Sequence, residues 1–550
     1  MSKAVAQALF PHITKTPADW EAAFPARAQG ATRFAPSPTG FMHIGGLYTA
    51  LINDLFIRSQ DGVFFLRIED TDQKRIVENG VTEIIGTLDS FGVRFDEGPR
   101  NETEDYGPYG PYRQSLRREI YQTYAKALVE KDLAYPCFCT EEELTALRSR
   151  QEQENALQKG YYGKWAACRN LTEEEVLQKL AEGKSWVVRL RSQGQEGRSR
   201  VYHDVIRGDI SMQENIIDTV LIKSDGLPTY HFAHAVDDHL MHTSDVIRAD
   251  EWIASIPVHV ELFETLGFPV PRYAHLSPIM KLEEREDGGT SKRKLSKRKD
   301  PEARVHYYEE VGYPIQAVQD YLLTIASADY EPWRAQNMDA SIFDFSLDLT
   351  KTGVAGALFD FNKLGSVAKN RVAHMSCEAI LEAVRQWSAQ YDAALSAYIA
   401  ADEERFLRSV HVWHDKRLDV AKWSDLMALY PYLYDSAYDP SAEALPEQFQ
   451  NHLEHIPGIL TDYLETFDWN DDGSAWFQKV REIAPKYNYA VKTGPYKKHP
   501  ELYSGSIADL SSFIRFAITG RLNTPDLHGI IHVIGEEEAR RRVENFLSKL

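Results

Sequence analysis

The sequence predicts a multidomain protein with a central α/β domain, built on a parallel sheet, and a helical C-terminal part. Three observations support this fold class. Residues 31–125 alternate apolar strand-like runs with helical periodicity, as parallel α/β domains do. Residues 126–215 interrupt that alternation with a mixed α and β pattern, and the chain after about residue 385 follows helical spacing alone. A length of 550 residues suits roughly three or four domains.

The composition is that of a globular enzyme. Hydrophobic residues make up 43% of the chain and charged residues 26%. There is no apolar run of about 18 residues and no apolar core in residues 1–30, so we expect neither a membrane span nor a signal peptide. Four cysteines in so long a chain argue against a disulfide framework. We therefore expect a cytoplasmic protein without a membrane partner.

The net charge of −20 bears on the choice of partner. Taken alone it weighs against nucleic acid, because phosphate contacts need Lys and Arg. Binding requires a local basic surface, however, and not a basic total. The total charge therefore neither favours nor excludes a nucleic-acid partner.

The segment 32–46 predicts the first turn of the α/β domain. Thr32–Ala35 is strand-like, Gly40 and two prolines break regular structure, and a helix opens after His43 with leucines on one face. The free N–H groups and the dipole at such a helix start attract anions. Taken by itself, His43 is explained as well by a plain βα-turn with a surface histidine.

The second strand is predicted at Val63–Ile68, an apolar run typical of a buried parallel strand. Glu69 follows it, at the end where open α/β sheets carry ligand groups. The chain has no GxxxxGK[ST] motif, so the phosphate site is not a P-loop.

The remaining elements follow from apolar spacing. Residues 1–30 are predicted as one helix, residues 140–158 as a charged helical stretch, and residues 216–285 as a return of the parallel α/β pattern. The predicted strands are Ser185–Ser192, Arg200–Arg207, Ile217–Ile222 and Val246–Ile247, and the predicted helices are Ile253–Leu266, Phe406–Trp413, Trp423–Tyr430, Leu460–Phe467 and a last helix after Gly535 with the buried stripe Ala539, Val543, Phe546, Leu547 and Leu550.

A dense basic segment lies between the predicted α/β region and the helical C-terminal part. Lys292–Lys299 contains six basic residues in eight. A solvated loop or a nuclear-localisation look-alike is the simpler interpretation. In an acidic chain, however, such density indicates a local role, and a mobile loop carrying Lys294, Ser296 and Lys297 suits closure over a polyphosphate.

These motifs together resemble a known family. His43-Ile44-Gly45-Gly46 (the HIGG turn) and Lys294-Leu295-Ser296-Lys297-Arg298 (the KLSKR loop) are similar to the two signatures of class I aminoacyl-tRNA synthetases. With RFAPSPTG from Arg33 and the segment Asp225–Trp252, the chain resembles bacterial glutamyl-tRNA synthetases. The resemblance implies a Rossmann-type catalytic domain (1–125 and 216–285), an inserted domain for the tRNA acceptor end (126–215), the KLSKR loop with a stem-contact region (286–385) and a helical anticodon-binding region (386–550).

The resemblance implies that the protein activates glutamate with ATP and Mg²⁺ and transfers it to the 3′ end of tRNA(Glu), as a monomer. It implies that tRNA is needed for the first step. Catalysis would fall to His43, Lys294, Ser296 and Lys297, because adenylate formation depends on positioning and charge stabilisation. The ATP-binding residues implied are His43, Gly45, Gly46, Trp252 and Lys297.

Glutamate carries two carboxylates and one ammonium, so its site needs positive donors and an acceptor. Guanidinium groups suit carboxylates, and a carboxylate suits the ammonium. This sequence differs from the family pattern at one position of this site, where His234 replaces the Asn of many relatives. The glutamate-binding residues implied by the resemblance are Arg33, Ala35, Ser37, Glu69, Tyr230, His234 and Arg248.

Three of the four cysteines, Cys137, Cys139 and Cys168, lie in the predicted insertion. Some relatives hold a structural Zn²⁺ here through Cys-x-Cys and a later Cys-x-His, but Asn170 stands at the histidine position. Tyr161, Tyr162 or a water are the alternatives for a fourth ligand. Buried free cysteines are the competing interpretation, since a Cys-x-Cys pair on a strand points to opposite faces unless the strand ends there.

Other functions remain open at this point. A glutaminyl-tRNA synthetase should not need a second arginine for its side-chain pocket, so Arg248 favours glutamate. A truncated paralogue that modifies a tRNA base would lack the helical C-terminal part. A catalytically inactive tRNA-binding paralogue would not need the HIGG turn and the KLSKR loop intact.

Overall fold

A computed structural model describes residues 3–156, 158–285, 288–414, 419–435 and 437–550. The chain separates into two compact units, Met1–Tyr308 with Gln319–Asp360 and Glu309–Val318 with Phe361–Leu550. Residue 286, where one predicted region begins, and residue 157, inside a predicted helical stretch, lie outside the described residues.

The described strands are β1 (Ala31–Phe34), β2 (Val63–Leu66), β3 (Gly98–Pro99), β4 (Asp105–Tyr106), β5 (Ala134–Cys137), β6 (Val187–Leu190), β7 (Ser199–Asp204), β8 (Gly208–Gln213), β9 (Val220–Ile222), β10 (Asp245–Ala249), β11 (Arg272–Leu276), β12 (Ile279–Glu284), β13 (Thr290–Lys294), β14 (Ala357–Leu358), β15 (Tyr489–Ala490) and β16 (Gly505–Ser506).

The described α-helices are α1 (Lys3–Leu9), α2 (Pro17–Ala23), α3 (Ile44–Arg58), α4 (Gly80–Ser90), α5 (Arg118–Glu130), α6 (Glu141–Gln153), α7 (Glu173–Ala181), α8 (Tyr230–Leu240), α9 (Ile256–Leu266), α10 (His306–Glu310), α11 (Ile315–Ala326), α12 (Tyr330–Gln336), α13 (Phe361–Ala373), α14 (Cys377–Tyr391), α15 (Ala393–Ala401), α16 (Glu403–His414), α17 (Leu426–Leu429), α18 (Pro431–Tyr434), α19 (Ile456–Thr466), α20 (Gly473–Ile483), α21 (Thr493–Lys498), α22 (Ile507–Thr519), α23 (Leu527–Ile534) and α24 (Glu536–Leu547).

Parallel strands form the centre of the first unit. β1 pairs with β2, and β10 pairs with β11, both in parallel register. The two pairs join where the Ser244 amide donates to the Ala31 carbonyl at 2.9 Å. This arrangement confirms the predicted parallel α/β core, and it brings the carboxyl ends of β1, β2 and β10 to one edge, where such sheets bind ligands.

Two strands of the predicted insertion, β5 and β6, form an antiparallel sheet with β9, in the order β5-β6-β9. The strand predicted at Ile217–Ile222 was expected to be parallel, and that prediction is wrong. Its ordered part is β9, which pairs antiparallel with β6. The reason is the buried carboxylate of Asp218 just before it, which accepts hydrogen bonds from Tyr135 and from the Ser192 amide and so binds this segment to the insertion.

Three other sequence predictions need correction. Residues 1–30 contain two helices, because Thr16 caps a new helix whose first residue is Pro17. The helix predicted to continue to residue 158 ends at Gln153. The strand predicted at Arg200–Arg207 is present as β7 but ends at Asp204, and it pairs with β11 of the parallel sheet as well as with β8.

In its described residues, the second unit is helical apart from the two-residue parallel pair β15 and β16. Phe406, Val410 and Trp413 are buried on α16, as predicted. The helix predicted at Trp423–Tyr430 is instead a 3₁₀ turn followed by α17, because Pro431 begins a separate helix, α18. The last helix is confirmed, but it ends at Leu547, so Leu550 is 44% exposed and not part of the buried stripe.

The described part of the chain was also searched for membrane spans. None of its helices is both long enough and apolar enough to cross a bilayer.

Candidate active site

A cavity of about 490 Å³ lies at the carboxyl ends of the parallel strands in the first unit. The structure brings together eleven of the fourteen catalytic, ATP-binding and glutamate-binding residues predicted from the sequence. The three that do not line it are Ser296, Lys297 and His234. The predicted residues on its wall are Arg33, Ala35, Ser37, His43, Gly45, Gly46, Glu69, Tyr230, Arg248, Trp252 and Lys294.

The HIGG turn is the start of α3. His43 caps this helix, and its Nδ1 accepts a hydrogen bond from the Gly45 amide at 2.9 Å. A Cβ on residue 45 would lie 3.2 Å from that nitrogen, so glycine keeps the imidazole in place. Nε2 therefore carries the proton and donates to the Leu295 carbonyl at 3.2 Å. Burial lowers the pKa of His43, which favours this neutral form.

The KLSKR loop is held by Asp300, a residue that the sequence analysis missed. Its carboxylate, 2% exposed, accepts two hydrogen bonds from Arg293, at 2.6 and 2.8 Å, and one from the Ser296 amide at 2.8 Å. The hydrogen bonds from Arg293 hold the pKa of Asp300 well below its usual range. The sequence feature that could have indicated Asp300 is its position as an acidic residue directly after the basic run Lys292–Lys299.

The two lysines of the KLSKR loop have different surroundings. Lys294 lines the cavity, with its ammonium 3.4 Å from a carboxylate oxygen of Glu251. Lys297 reaches the HIGG side and donates to the Phe41 carbonyl. In the sequence, Lys294 and Lys297 lie on either side of Leu295, whose carbonyl accepts the hydrogen bond from His43.

Arg33 is fixed by a buried carboxylate, Asp238, which the sequence analysis did not include in the site. Its Nε and Nη2 donate to the two oxygens of Asp238 at 3.0 and 3.2 Å. Arg67 donates to the same carboxylate at 2.6 Å. Burial opposes ionisation of Asp238, but the two arginines outweigh it and hold its pKa well below the usual range. Asp238 therefore orients the guanidinium of Arg33 and shares its negative charge between Arg33 and Arg67.

Glu69 is the acidic group of the cavity. Burial raises its pKa to about 7, and the opposing attraction of Arg67 and Arg33 is too weak to restore the ordinary value. Its side chain keeps 11% exposure and lies 3.4 Å from Arg67. A carboxylate that is costly to ionise here gains from a cationic partner, such as a primary ammonium.

The aromatic wall consists of Tyr230 and Trp252, whose ring centroids are 4.1 Å apart. His234 lies behind this wall, with Nδ1 2.7 Å from Asp238 and Nε2 2.9 Å from the Tyr273 hydroxyl oxygen. It is fully buried, and burial lowers its pKa to about 3. Its contact with glutamate stays a prediction, since in the structure it lies beside Asp238 and does not line the cavity.

Arg248, at the end of β10, has a different environment from Arg33. It is 5% exposed, and no carboxylate among the described residues lies within ion-pair distance of it. Its Nη1 donates to the Tyr230 hydroxyl and its Nη2 to the Trp252 carbonyl, each at 3.4 Å. The positive charge of Arg248 is therefore left uncompensated on the cavity wall.

The three predicted zinc ligands also come together. β5 ends at Cys137, so Cys139 lies outside the strand and is not subject to the alternation that would point the two side chains to opposite faces. All three sulfurs lie within 4.8 Å of one another. Cys139 and Cys168 are 3.7 Å apart, close to the roughly 3.8 Å edge of a zinc–thiolate tetrahedron. Hydrogen bonds from Cys139 and Cys168 lower the pKa of Cys137. These thiols fit a zinc ion.

The structure also separates the alternatives for a fourth ligand. The Tyr161 hydroxyl lies 3.3 Å from the Cys139 sulfur. Tyr162 instead donates to the Gln158 carbonyl, and Asn170 is exposed to solvent. Among the protein groups considered, Tyr161 is the one whose hydroxyl contacts a sulfur of the cluster.

Comparison with known proteins agrees with this fold and site. A model of the catalytic domain of class I tRNA synthetases (E and Q) matches residues 30–338, and an anticodon-binding domain model matches residues 505–547. The fold and the site thus define a class I aminoacyl-tRNA synthetase, a ligase, as predicted.

Comparison with individual proteins identifies the family within this class. The chain is 45% identical to the glutamate–tRNA ligase of Clostridium beijerinckii, over 99% of both proteins, and 45% identical to that of Acetivibrio thermocellus, over 99% of this chain and 100% of the relative. A crystal structure of a glutamate tRNA ligase from Elizabethkingia meningosepticum is similar with a TM-score of 0.76 and 29% identity, covering 95% of this chain and 100% of that one. The chain belongs to the glutamate–tRNA ligase family.

Proposed function

We propose that this protein activates glutamate with ATP and transfers it to the 3′ end of tRNA(Glu). In the first step a glutamate carboxylate oxygen attacks the α-phosphorus of ATP and pyrophosphate leaves. In the second, a hydroxyl of the terminal tRNA ribose attacks the acyl carbon and AMP leaves. The observation that carries the proposal is one cavity that combines two arginines, Glu69 and the HIGG turn with Lys294 of the KLSKR loop.

The nucleotide half of the site is assigned to the start of α3 and the KLSKR loop. Gly45 and Gly46 let a nucleotide approach the helix N-terminus, and His43 supplies an oriented N–H donor. Lys294 and Lys297, on a loop fixed through the Ser296 amide, stabilise charge that develops on the leaving pyrophosphate. Mg²⁺ accompanies ATP and compensates phosphate charge.

The glutamate half is assigned to the cavity wall around Arg33 and Arg248. Glu69 accepts the substrate ammonium, and Tyr230, Ser37 and the backbone at Ala35 add neutral contacts. Arg248 binds the side-chain carboxylate, because its buried charge has no acidic partner in the described protein. A glutaminyl-tRNA synthetase is disfavoured, since a neutral amide would leave that charge uncompensated.

We assign tRNA binding to the regions predicted from the sequence. Residues 126–215 hold the acceptor end, residues 286–385 contact the stem, and residues 386–550 read the anticodon, while residues 1–125 and 216–285 carry the catalysis. The anticodon-binding match within 505–547 supports the last of the binding assignments. We expect a monomer, with tRNA needed for glutamate activation.

Cys137, Cys139, Cys168 and Tyr161 are assigned as ligands of a structural Zn²⁺. The sulfur spacing and the Tyr161 hydroxyl support this set. Such an ion would join the end of β5 to the segment around Cys168 and would take no part in the reaction.

The proposal is tested by glutamate-dependent exchange of pyrophosphate into ATP, with and without tRNA(Glu). We expect exchange with glutamate and tRNA together, and none with glutamine. Exchange with glutamine in preference to glutamate would indicate the glutaminyl enzyme. Absence of exchange with either amino acid, in folded protein that binds tRNA, would indicate the inactive paralogue.

A further inference from the structure

Arg248 is held by two histidines. Its Nε donates to His275 Nε2 at 3.0 Å, and its Nη2 donates to His259 Nδ1 at 3.1 Å. Both histidines are 0% exposed. Because an arginine only donates, each of these ring nitrogens must be the unprotonated acceptor of its imidazole. Two neutral rings thus fix the plane of a buried guanidinium.

The tautomer of His275 is set on its far side. Its Nδ1 lies 2.6 Å from Asp204 Oδ2, so this nitrogen carries the proton and Nε2 is free to accept from Arg248. Asp204 is itself fully buried and accepts from the backbone amides of Ile206 and Arg207. The imidazole ring of His275 therefore lies between Arg248 and the carboxylate of Asp204.

The tautomer of His259 is set in the same way. With Nδ1 accepting from Arg248, the proton lies on Nε2, which donates to His231 Nδ1 at 2.8 Å. Burial lowers the pKa of His259 well below its ordinary value and that of His231 to about 4. Both rings are neutral at physiological pH and add no charge beside Arg248.

Arg33 provides the contrast within the same cavity. Asp238 binds it through both oxygens and gives it a negatively charged partner, whereas His259 and His275 give Arg248 directional acceptors without negative charge. A carboxylate in place of either histidine would pair with Arg248 and compete with a substrate carboxylate. The two imidazole acceptors fix the orientation of the guanidinium and leave its positive charge free to pair with a substrate carboxylate.

We propose that His259 and His275 are positioning residues that hold Arg248 through neutral acceptors, and that this arrangement sets the preference for glutamate over glutamine. The inference rests on the proposed function. Neither histidine touches the substrate. Their effect is transmitted by the direction and the free charge of Arg248, which binds the side-chain carboxylate.

The test uses three substitutions of one residue in the full-length protein. His259→Asn places an amide oxygen near the position of Nδ1 and keeps a neutral acceptor. His259→Leu removes the acceptor, and His259→Asp adds the competing charge at nearly the size of Asn. For each variant, KM for glutamate, glutamine and ATP is measured by pyrophosphate exchange with tRNA(Glu), and folding is checked by circular dichroism.

We expect His259→Asn to retain KM for glutamate within roughly threefold of wild type, and His259→Leu to raise it about tenfold or more, as loss of a hydrogen bond to a charged group does. His259→Asp should raise it further and narrow the ratio of glutamate to glutamine efficiency. KM for ATP should change little in all three.

Equal effects of Asn and Asp, or a parallel rise in KM for ATP, would overturn the inference. If the Leu variant does not fold, the Asn and Asp pair decides alone, because the two differ in charge and hardly in volume. Failure of the proposed function is distinguishable, since wild-type protein would then show no glutamate-dependent exchange at all.

Discussion

Asp238 binds Arg33 through both carboxylate oxygens, and the two side chains are 0% and 4% exposed. Arg248, on the same cavity wall, has only neutral acceptors among the residues that the structure describes. The two arginines therefore contribute differently to stability. One completes a buried ion pair, and the other is a buried charge that costs free energy unless a ligand pairs with it.

The first prediction compares the stability of two variants. Arg33→Ala leaves Asp238 with Arg67 as its only arginine within the described part of the chain, and we expect a loss of about 3 kcal/mol of unfolding free energy and a lower Tm. Arg248→Met removes a buried cation that has no acidic partner among the described residues, but it also leaves the buried acceptors of His259 and His275 without their donor, so its Tm should fall less than that of Arg33→Ala. Thermal unfolding without ligands measures both. A Tm for Arg248→Met as low as that for Arg33→Ala would contradict this account.

The second prediction concerns substrate binding by the same variants. Both should raise KM for glutamate far more than KM for ATP, because each loses a guanidinium assigned to the amino acid. The measurement is pyrophosphate exchange with tRNA(Glu) at saturating concentrations of the other substrate. If KM for ATP moves by the same factor, these arginines do not form the glutamate site.

The third prediction concerns Lys297. Lys297→Ala should lower the rate of glutamyl-adenylate formation by about 100-fold or more, because a donor aimed at transition-state charge is worth roughly 3–4 kcal/mol. Lys292→Ala makes the same change of charge on an exposed residue of β13 and should have little effect. Single-turnover measurements compare the two. Equal rates in folded protein would reject the role of Lys297.

The fourth prediction is a pH dependence that arises from Glu69. With a pKa of about 7 in the free protein, Glu69 loses its charge as pH falls, so fewer molecules can accept the substrate ammonium. KM for glutamate at saturating ATP should rise about tenfold between pH 8 and pH 6. Glu69→Gln should have a high KM that hardly changes over this range. A variant that retained the wild-type pH profile would assign the titration to another group.

The fifth prediction concerns zinc. Protein purified without chelator should contain stoichiometric zinc by elemental analysis, and Cys137→Ser should lose it, because three ligands remain of four. Cys377→Ser, outside the cluster, is the matched control and should retain the metal. Tyr161→Phe should lose zinc to a chelator faster than wild type. Zinc-free wild-type protein from zinc-supplemented cells would leave the cysteines as a packed, metal-free cluster.

The part of the site that the sequence predicts is the part encoded in continuous motifs. His43, Gly45 and Gly46 form one turn, and their chemistry follows from the start of a helix. Arg33 and Glu69 follow from their places on strands that end at one edge of the sheet. Local spacing suffices in these cases because the functional groups and the elements that present them are adjacent in the chain.

The supporting residues are not predictable in this way. Asp238 meets Arg33 across 205 positions of the sequence, and His275 meets Asp204 across 71. No local pattern distinguishes such partners from an ordinary surface acid or a core histidine. The error at β9 has the same origin, because an apolar run does not reveal whether its neighbour in the sheet runs parallel or antiparallel.

His43 donates a hydrogen bond to the Leu295 carbonyl of the KLSKR loop. This carbonyl oxygen takes the acceptor position that we assign to a nucleotide oxygen in the complex. A phosphate that takes this donor replaces one acceptor with another, so the imidazole keeps its proton on the same nitrogen and its ring in the same plane. The count of hydrogen bonds is conserved in that exchange, and little binding energy is spent on reorganising the histidine. In the free protein, the Leu295 carbonyl therefore holds His43 in the orientation in which it would donate to a phosphate oxygen.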